Sequence, residues 1–109
     1  MSYNIVAVPT FRKELKKLAK KYPSLKSDLV FLFETLEENP IQGTSLGKNC
    51  YKIRLAISAK GKGKSGGARI ITNVVITDKT VYLLSIYDKA NKENLTDKEL
   101  KELLEEVLY

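Results

Sequence analysis

Two apolar, β-branched runs near the centre of the chain constrain its fold more than any other feature. They cover about residues 68–77 and 80–87, and only Asp78 and Lys79 separate them. Val, Ile, Tyr and Thr favour strands, and a two-residue link allows a tight hairpin but is far too short for a parallel crossover. The sequence therefore predicts an antiparallel pair of strands, around which the rest of the chain packs.

The segments before this hairpin predict one further strand and two helices. Residues 3–8 form a short apolar run that a proline ends, a pattern typical of a strand. Thr10 is a candidate N-cap for the first helix. Asn39 ends the second helix, because the residue before a proline avoids the helical region. Helical spacing recurs in both stretches, at Phe11, Leu15, Leu18 and Tyr22, and then at Leu25, Leu29, Leu32, Phe33 and Leu36.

The remaining segments complete a mixed pattern of strands and helices. After a polar loop at residues 41–49, a strand is predicted at about residues 50–59. Thr-Asp-Lys-Glu at 96–99 matches a capping box, and the helix that it opens has an apolar side formed by Leu100, Leu103, Leu104, Val107 and Leu108. The order strand, helix, helix, three strands, helix predicts a single α+β domain over residues 1–109. We expect an antiparallel sheet with the helices packed on one face and the other face open to a partner.

The side chains that the sequence lacks restrict its chemistry. It has no histidine and a single cysteine, Cys50, so an internal disulfide, a histidine-containing metal site and Ser-His or Cys-His nucleophiles are excluded. We expect no metal and no cofactor, and any catalysis has to use Lys, Arg, Tyr or carboxylates. No apolar run is long enough to cross a bilayer, and the N-terminus lacks a signal-peptide layout. A cytoplasmic protein without a membrane partner is therefore expected.

Positive charge is concentrated in one interval of the sequence. No acidic residue occurs between Glu38 and Asp78, whereas seven cations do, which exceeds the net charge of +6 of the whole chain: Lys48, Lys52, Arg54, Lys60, Lys62, Lys64 and Arg69. Counterions released from phosphates drive association with such a surface. Nucleic acid is therefore the favoured partner. The alternative is that residues 60–67, the lysine–glycine loop, are a surface turn kept soluble by its lysines.

Two other phosphate-related features are weaker. A nucleotide-binding P-loop needs a glycine five positions before Gly63, where this sequence has Ser58, so that site is excluded. The first helix carries cations on its polar face, and these indicate either a second nucleic-acid contact or an ordinary solvated face. They are Arg12, Lys13, Lys16, Lys17, Lys20 and Lys21.

Four side chains near the predicted strands are candidates for chemistry. Alternation along the strand at 50–59 places Lys52 and Arg54 together on the face opposite Ile53. Arg54 offers a planar fork for phosphate oxygens, and a lysine beside other cations releases its proton more readily. Arg69 opens the next strand, and Tyr87 ends the last one with a phenol that could stack on a base or transfer a proton. The alternatives are solvated strand residues and, for Tyr87, a boundary aromatic half in the core.

Four stretches of the chain carry a resemblance to a known family. They are Cys-Tyr-Lys-Ile-Arg-Leu at 50–55, the arginine at 69, Leu-Leu-Ser-Ile-Tyr-Asp-Lys at 83–89 and Leu-Thr-Asp-Lys-Glu-Leu at 95–100. Together they resemble the RelE/ParE superfamily of toxins over nearly the whole chain. Lys-Gly-Lys-Ser-Gly-Gly at 62–67 is similar to the loop of the HigB-like RelE branch. The resemblance implies a RelE-like fold and the toxin of a type II toxin–antitoxin system.

The resemblance also implies an activity and residue roles. It implies a ribosome-dependent endonuclease that cleaves mRNA in the A site, where the RNA's own 2′-hydroxyl attacks the adjacent phosphate. RelE-type members have a tyrosine in the C-terminal segment where this sequence has Leu95, and Tyr87 is the expected substitute. The implied catalytic set is Lys52 as base, Arg54 and Arg69 for the phosphorane charge, Tyr87, and Lys89 for the leaving oxygen, with Lys48, Lys60, Lys62 and Lys64 binding RNA.

Two other functions stay open on the sequence alone. One is a ParE-like inhibitor of DNA gyrase or topoisomerase with no catalysis of its own, and the other is a non-toxic nucleic-acid-binding module. The convergent cations favour the nuclease, since a protein-binding inhibitor has no evident need for them. The partners that the resemblance implies are a cognate antitoxin, the ribosome with its mRNA, and promoter DNA only as a toxin–antitoxin complex.

Overall fold

A five-stranded sheet in the order β1-β5-β4-β3-β2 forms the centre of the computed structural model, which describes residues 2–61, 63–92 and 94–107. The predicted α+β class, the central hairpin and the order of the helices are confirmed. The elements are β1 (Asn4–Ala7), α1 (Pro9–Lys21), α2 (Leu25–Glu38), β2 (Thr44–Gly47), β3 (Cys50–Leu55), β4 (Ala68–Val75), β5 (Thr80–Asp88) and α3 (Asp97–Leu104). Single turns of 3₁₀ helix occur at Ser58–Lys60 and Lys64–Gly66.

The sheet differs from the prediction in one additional strand and one strand direction. β2 lies inside the predicted polar loop, and its four residues are all exposed, so it has no apolar pattern to reveal it. The turn to β3 uses Lys48 and Asn49 with φ of 54° and 60°, as a tight two-residue hairpin requires. β1 pairs with β5 in parallel, so the expectation of a wholly antiparallel sheet was wrong. Two helices follow β1, and no short turn dictates its direction.

Two predicted strands are shorter than expected. β3 ends at Leu55 instead of residue 59, because the Ser58 N–H and hydroxyl donate to Asp28 of α2 at 3.0 and 2.6 Å and draw the chain away from the sheet. β4 ends at Val75, so the hairpin loop spans residues 76–79 and is not limited to Asp78 and Lys79.

Of the two helix N-caps predicted from the sequence, one is confirmed and the other is wrong. Thr96 and Glu99 form the predicted capping box at the start of α3. Thr10 is not the cap of α1, because Val8 occupies that position and Pro9 begins the helix. Proline suits the first helical position, where a backbone N–H has no partner within the helix. The N–H and hydroxyl of Thr10 instead bind the carboxylate of Glu106, beyond α3.

The helices cover both faces of the sheet. α2 lies on the face of Ile53, where its Leu32 borders the same cleft as Ile53. α1 runs along β5: its end reaches the Ile53 face, where the hydroxyl of Tyr22 donates to Asp88 at 2.8 Å, and its Glu14 accepts from the Ser85 hydroxyl at 2.8 Å. The described residues from 94 to 107, which contain α3, lie on the opposite face, where Lys52 contacts Asn94 at 3.3 Å. The expectation of helices on one face only was therefore wrong. The amphipathic pattern of α3 shows that one side is buried but not which sheet face receives it.

Candidate functional site

Three neighbouring strands bring Arg54, Arg69 and Tyr87 into one row. Arg54 of β3 lies opposite Arg69 of β4, which lies opposite Tyr87 of β5. Directly opposed residues project from the same face with Cβ atoms about 4.5–5.5 Å apart. Lys52 projects from this face two residues before Arg54. The structure therefore brings together side chains from three strands, and we call the group formed by Lys52, Arg54, Arg69 and Tyr87 the cation row.

The segment that leads into α3 partly covers the cation row. The Lys52 ammonium donates to the Asn94 side chain at 3.3 Å, and the Lys92 ammonium lies 5.7 Å from the centre of the Tyr87 ring. Arg54 remains exposed, whereas Arg69 and Tyr87 are 5% and 8% exposed. The predicted open face is thus open mainly at its β3 edge.

Arg69 connects the cation row to the lysine–glycine loop. Its Nη1 donates to the carbonyl oxygens of Lys64 and Ala68 at 3.0 and 3.1 Å. The loop rejoins the sheet through Gly67, where a Cβ atom would lie 2.0 Å from the Leu55 carbonyl oxygen. Only glycine permits so close an approach. This contact brings the start of β4 against the end of β3 and so sets Arg69 opposite Arg54.

Tyr87 is buried in an environment that keeps its phenol protonated. Burial raises the pKa of Tyr87 above its ordinary value, the nearby Arg69 charge opposes this, and Glu99 raises it further. The hydroxyl is buried and has no hydrogen-bond partner in the described part of the chain. A protonated phenol can donate a hydrogen bond, but it cannot act as a base at neutral pH.

Lys60 occupies a different place from the one predicted. Its ammonium donates to Asp88 at 2.8 Å, its side chain is 9% exposed, and it lies 5.5 Å from the centre of the Tyr22 ring. Burial alone would raise the pKa of Asp88, but hydrogen bonds from Lys60, the Ala90 N–H and Tyr22 hold the pKa below its ordinary value. Its charge is thus paired with Asp88 inside the protein, and the RNA-binding role of Lys60 stays a prediction.

The other predicted residues are distributed over the loop and the ends of the sheet. Lys64 is exposed and borders a cleft together with Lys52 and Arg54. Lys89 is exposed just after β5, and its N–H donates to the Gly67 carbonyl at 3.1 Å. Lys48 lies in the β2–β3 turn, at the end of β3 opposite to Arg54, and is not part of the cation row. Lys62, like Leu108 of the predicted last helix, lies outside the described residues.

Sequence reasoning missed several side chains around the cation row. Asn94 and Lys92 contact it from the C-terminal segment, and Phe31 of α2 is 74% exposed at the cleft that Lys52 and Arg54 border. Phe31 directly precedes the buried Leu32 and therefore lies outside the apolar stripe of α2. A large apolar residue in that position was the signal in the sequence that could have identified it. Asn94 and Lys92 had none, since their contacts are long-range.

The described residues contain neither a metal-binding cluster nor a membrane-crossing helix. Among the described residues, no group of three or more Cys, Asp and Glu side chains could hold a metal ion. None of the helices in the described part of the chain has the length and apolar character needed to cross a membrane.

Most of the sequence matches the model of a known protein family. Residues 10–107 match the model of the RelE toxin of the RelE/RelB toxin–antitoxin system, which includes every strand and helix from α2 to α3 and the whole cation row. The chain belongs to the RelE toxin family. It is therefore a RelE-type toxin of a toxin–antitoxin system, as the resemblance implied. Its closer likeness to the HigB-like branch stays a prediction.

Solved RelE structures share the fold of this toxin. An arginine double mutant of Escherichia coli RelE in the free state is 21% identical, with a TM-score of 0.65 and coverage of 99% of this chain and 100% of that one. The RelBE2 toxin–antitoxin complex from Mycobacterium tuberculosis matches at 17% identity and TM-score 0.57, over 81% and 99% of the two chains. The intact E. coli RelBE complex matches at 24% and 0.52, over 80% and 96%.

Proposed function

We propose that this RelE-family toxin is a ribosome-dependent endoribonuclease that cleaves translated mRNA in the A site. One observation supports it above all: Arg54 and Arg69 lie directly opposite each other, with Lys52 beside them and a protonated Tyr87 at the end of the row. Two adjacent arginines concentrate positive charge in one place, and the negatively charged phosphate of an RNA linkage is attracted to it.

The reaction needs a base, charge stabilisation and a proton for the leaving group. Lys52, in its neutral amine form, takes the proton of the 2′-hydroxyl, whose oxygen then attacks the adjacent phosphorus. Arg54 and Arg69 stabilise the phosphorane, and Tyr87 donates a hydrogen bond to one of its oxygens. The bond to the 5′ oxygen breaks and Lys89 protonates that oxygen, which leaves a 2′,3′-cyclic phosphate and a 5′-hydroxyl.

The ribosome and its mRNA would add contacts that the free protein does not have. In the free protein Lys52 donates to Asn94, and bound RNA would replace this contact and bring Lys52 beside the 2′-hydroxyl. The exposed cations of α1 offer a separate contact for ribosomal RNA: Arg12, Lys13, Lys16, Lys17, Lys20 and Lys21. Association should then weaken steeply with salt.

Cleavage of a defined mRNA on purified ribosomes tests this function. We expect breaks between the second and third bases of the A-site codon by primer extension, cyclic phosphate at the new 3′ ends, and little cleavage without ribosomes. A ParE-like inhibitor would leave the mRNA intact and reduce DNA supercoiling by gyrase. That pair of results would overturn the nuclease.

A cognate antitoxin is the proposed protein partner. RelE-fold neighbours have been solved in complex with antitoxin, and the net charge of +6 of this chain suits an acidic partner. The pair, and not the toxin alone, would bind promoter DNA. Co-expression with the neighbouring open reading frame should recover both proteins in a pull-down, and failure to recover the second would count against the pairing.

A further inference from the structure

A cleft beside the cation row has no role in the reaction just described. It has a volume of about 600 Å³ and lies between α2 and the edge of β3, within the range of about 300–1,000 Å³ of small-ligand sites. β2 pairs with β3 only as far as Lys52. No strand among the described residues pairs with the edge from Ile53 to Leu55, which forms the floor of the cleft.

One wall of the cleft carries an unusually exposed aromatic ring. Phe31 of α2 is 74% exposed, although the next residue, Leu32, is buried at 8%. Nucleobases stack on such rings whatever their identity, because every base has a π-face. Val30 is also apolar and 56% exposed, but it does not border the cleft. It therefore serves as a matched control.

The other wall is cationic. Lys52, Arg54 and Lys64 all border the cleft. Asp28 borders it as well, but its carboxylate accepts from the Ser58 N–H at 3.0 Å, the Ser58 hydroxyl at 2.6 Å and the Ser24 hydroxyl at 3.1 Å. The oxygens of Asp28 are thus already hydrogen-bonded to neighbouring groups of the protein. An occupant that suits both walls is a flat ring attached to a phosphate, which describes a nucleotide better than an acidic peptide.

Gln42 gives this cleft an oriented polar group. Its Nε2 donates to the Asn39 carbonyl at 2.7 Å and to the Thr35 hydroxyl at 3.2 Å. A carbonyl can only accept, so the amide nitrogen has to face Asn39, and Oε1 points the other way. Because Gln42 itself borders the cleft, its Oε1 is the acceptor that this side chain can offer to an occupant. The exocyclic amino groups of adenine, cytosine and guanine can donate to it, whereas uracil has no such group.

We propose that this cleft is the subsite for the nucleotide next to the cleaved linkage, with Phe31 stacked on its base and Gln42 Oε1 accepting from an exocyclic amino group. The assignment deepens the proposed nuclease function and rests on it. Phe31 and Gln42 are positioning and specificity residues, since neither touches the reacting phosphate. An amino-bearing base is favoured over uracil at this position.

Mapping of cleaved ends with codon libraries on ribosomes tests the subsite. Phe31→Ala should lower cleavage by about 5- to 150-fold, the range for loss of one stacked base, whereas Val30→Ala should match the wild type and Phe31→Trp should restore cleavage. Gln42→Leu should erase the discrimination against uracil without abolishing cleavage. Wild-type rates and preferences in both Phe31→Ala and Gln42→Leu would overturn the subsite while the nuclease function stands.

Binding of RNA by the free protein separates the subsite from catalysis. Pentanucleotides with a 2′-deoxy linkage that cannot be cleaved, and with uracil or cytosine at one position, can be titrated at low salt by fluorescence anisotropy. We expect tighter binding of the cytosine form and weaker binding by Phe31→Ala than by Val30→Ala. Equal binding by both variants, or no binding by the wild type, would overturn the inference. Loss of antitoxin binding in Phe31→Ala with unchanged RNA binding would assign Phe31 to a protein interface instead.

Discussion

The two faces of the sheet treat positive charge in opposite ways. On the face of α1 and α2, the Lys60 ammonium is buried against Asp88 and Tyr22. On the other face, Arg54 lies directly opposite a second arginine. The charge of Lys60 is thus paired inside the protein, whereas the opposed arginines concentrate positive charge at a place where an anion from outside can bind. The position of a lysine in a basic stretch of sequence therefore does not reveal whether its charge is paired inside the protein or available to a partner.

The largest expected effect tests the buried pair. Lys60→Met would leave Asp88 buried without its cation, and breaking such a pair costs about 3–5 kcal/mol of unfolding free energy. Urea denaturation measures this. The exposed Lys64 is the control, since Lys64→Met should change stability by no more than about 0.5 kcal/mol. Equal stability of the two variants would remove the distinction between the faces.

Catalysis should depend on the side chains of the cation row. Arg54→Ala should reduce ribosome-dependent cleavage by about 10²- to 10³-fold, as the loss of one charge-stabilising donor does, with little change in stability. Arg69→Ala should lose cleavage similarly and also destabilise the protein by about 1–3 kcal/mol, because the Lys64 and Ala68 carbonyls lose their donor. Cleavage at the wild-type rate by folded Arg54→Ala protein would contradict the proposed role.

Acid should first weaken the ion pair of Asp88 with Lys60, which lies on the face of Ile53. The pKa of Asp88 lies below its ordinary 3.8 in the folded protein, so the unfolded chain binds this proton more readily. The stability that Asp88 contributes is then fully present above its ordinary value and is lost as the pH falls through the folded-state pKa. Unfolding free energies should decline less steeply in acid for Asp88→Asn than for the wild type. Parallel pH profiles would refute this linkage.

The smallest expected effect concerns the Tyr87 hydroxyl. It is buried without a partner in the described residues, so Tyr87→Phe removes an unsatisfied group, and we expect stability to stay the same or rise by up to about 1 kcal/mol. Cleavage should nevertheless fall, because the phenol no longer donates to the phosphate. Thermal unfolding beside the ribosome assay separates the two effects. A clear loss of stability would show that the hydroxyl has a partner in solution.

Local patterns predicted the parts of the fold that depend on near neighbours. The capping box at Thr96, the hairpin of β4 and β5, and the alternation that separates Lys52 and Arg54 from Ile53 all appear in the structure. Each depends on side-chain periodicity or on a short turn, which a few consecutive residues specify. β2 escaped prediction because an exposed edge strand needs no apolar pattern.

The sequence proposed residues for the candidate site but gave no information on their surroundings, and the roles of those residues stay predictions. Residue types and spacing pointed to Lys52, Arg54, Arg69 and Tyr87, and strand register brings them together. The pairing of Lys60 with Asp88, the cover formed by Asn94 and Lys92, and the position of Phe31 at the cleft depend on segments distant along the chain. Such contacts leave no periodic trace in the sequence.

The amino-acid sequence alone determined that this chain builds strands and helices in a given order, that it lacks histidine chemistry, and that its basic residues gather in one interval. Only the tertiary structure decided which of those basic residues are neutralised and which face a partner. The reason is physical: the charge on a side chain is the same everywhere, but its energy depends on the water and countercharges that folding leaves around it.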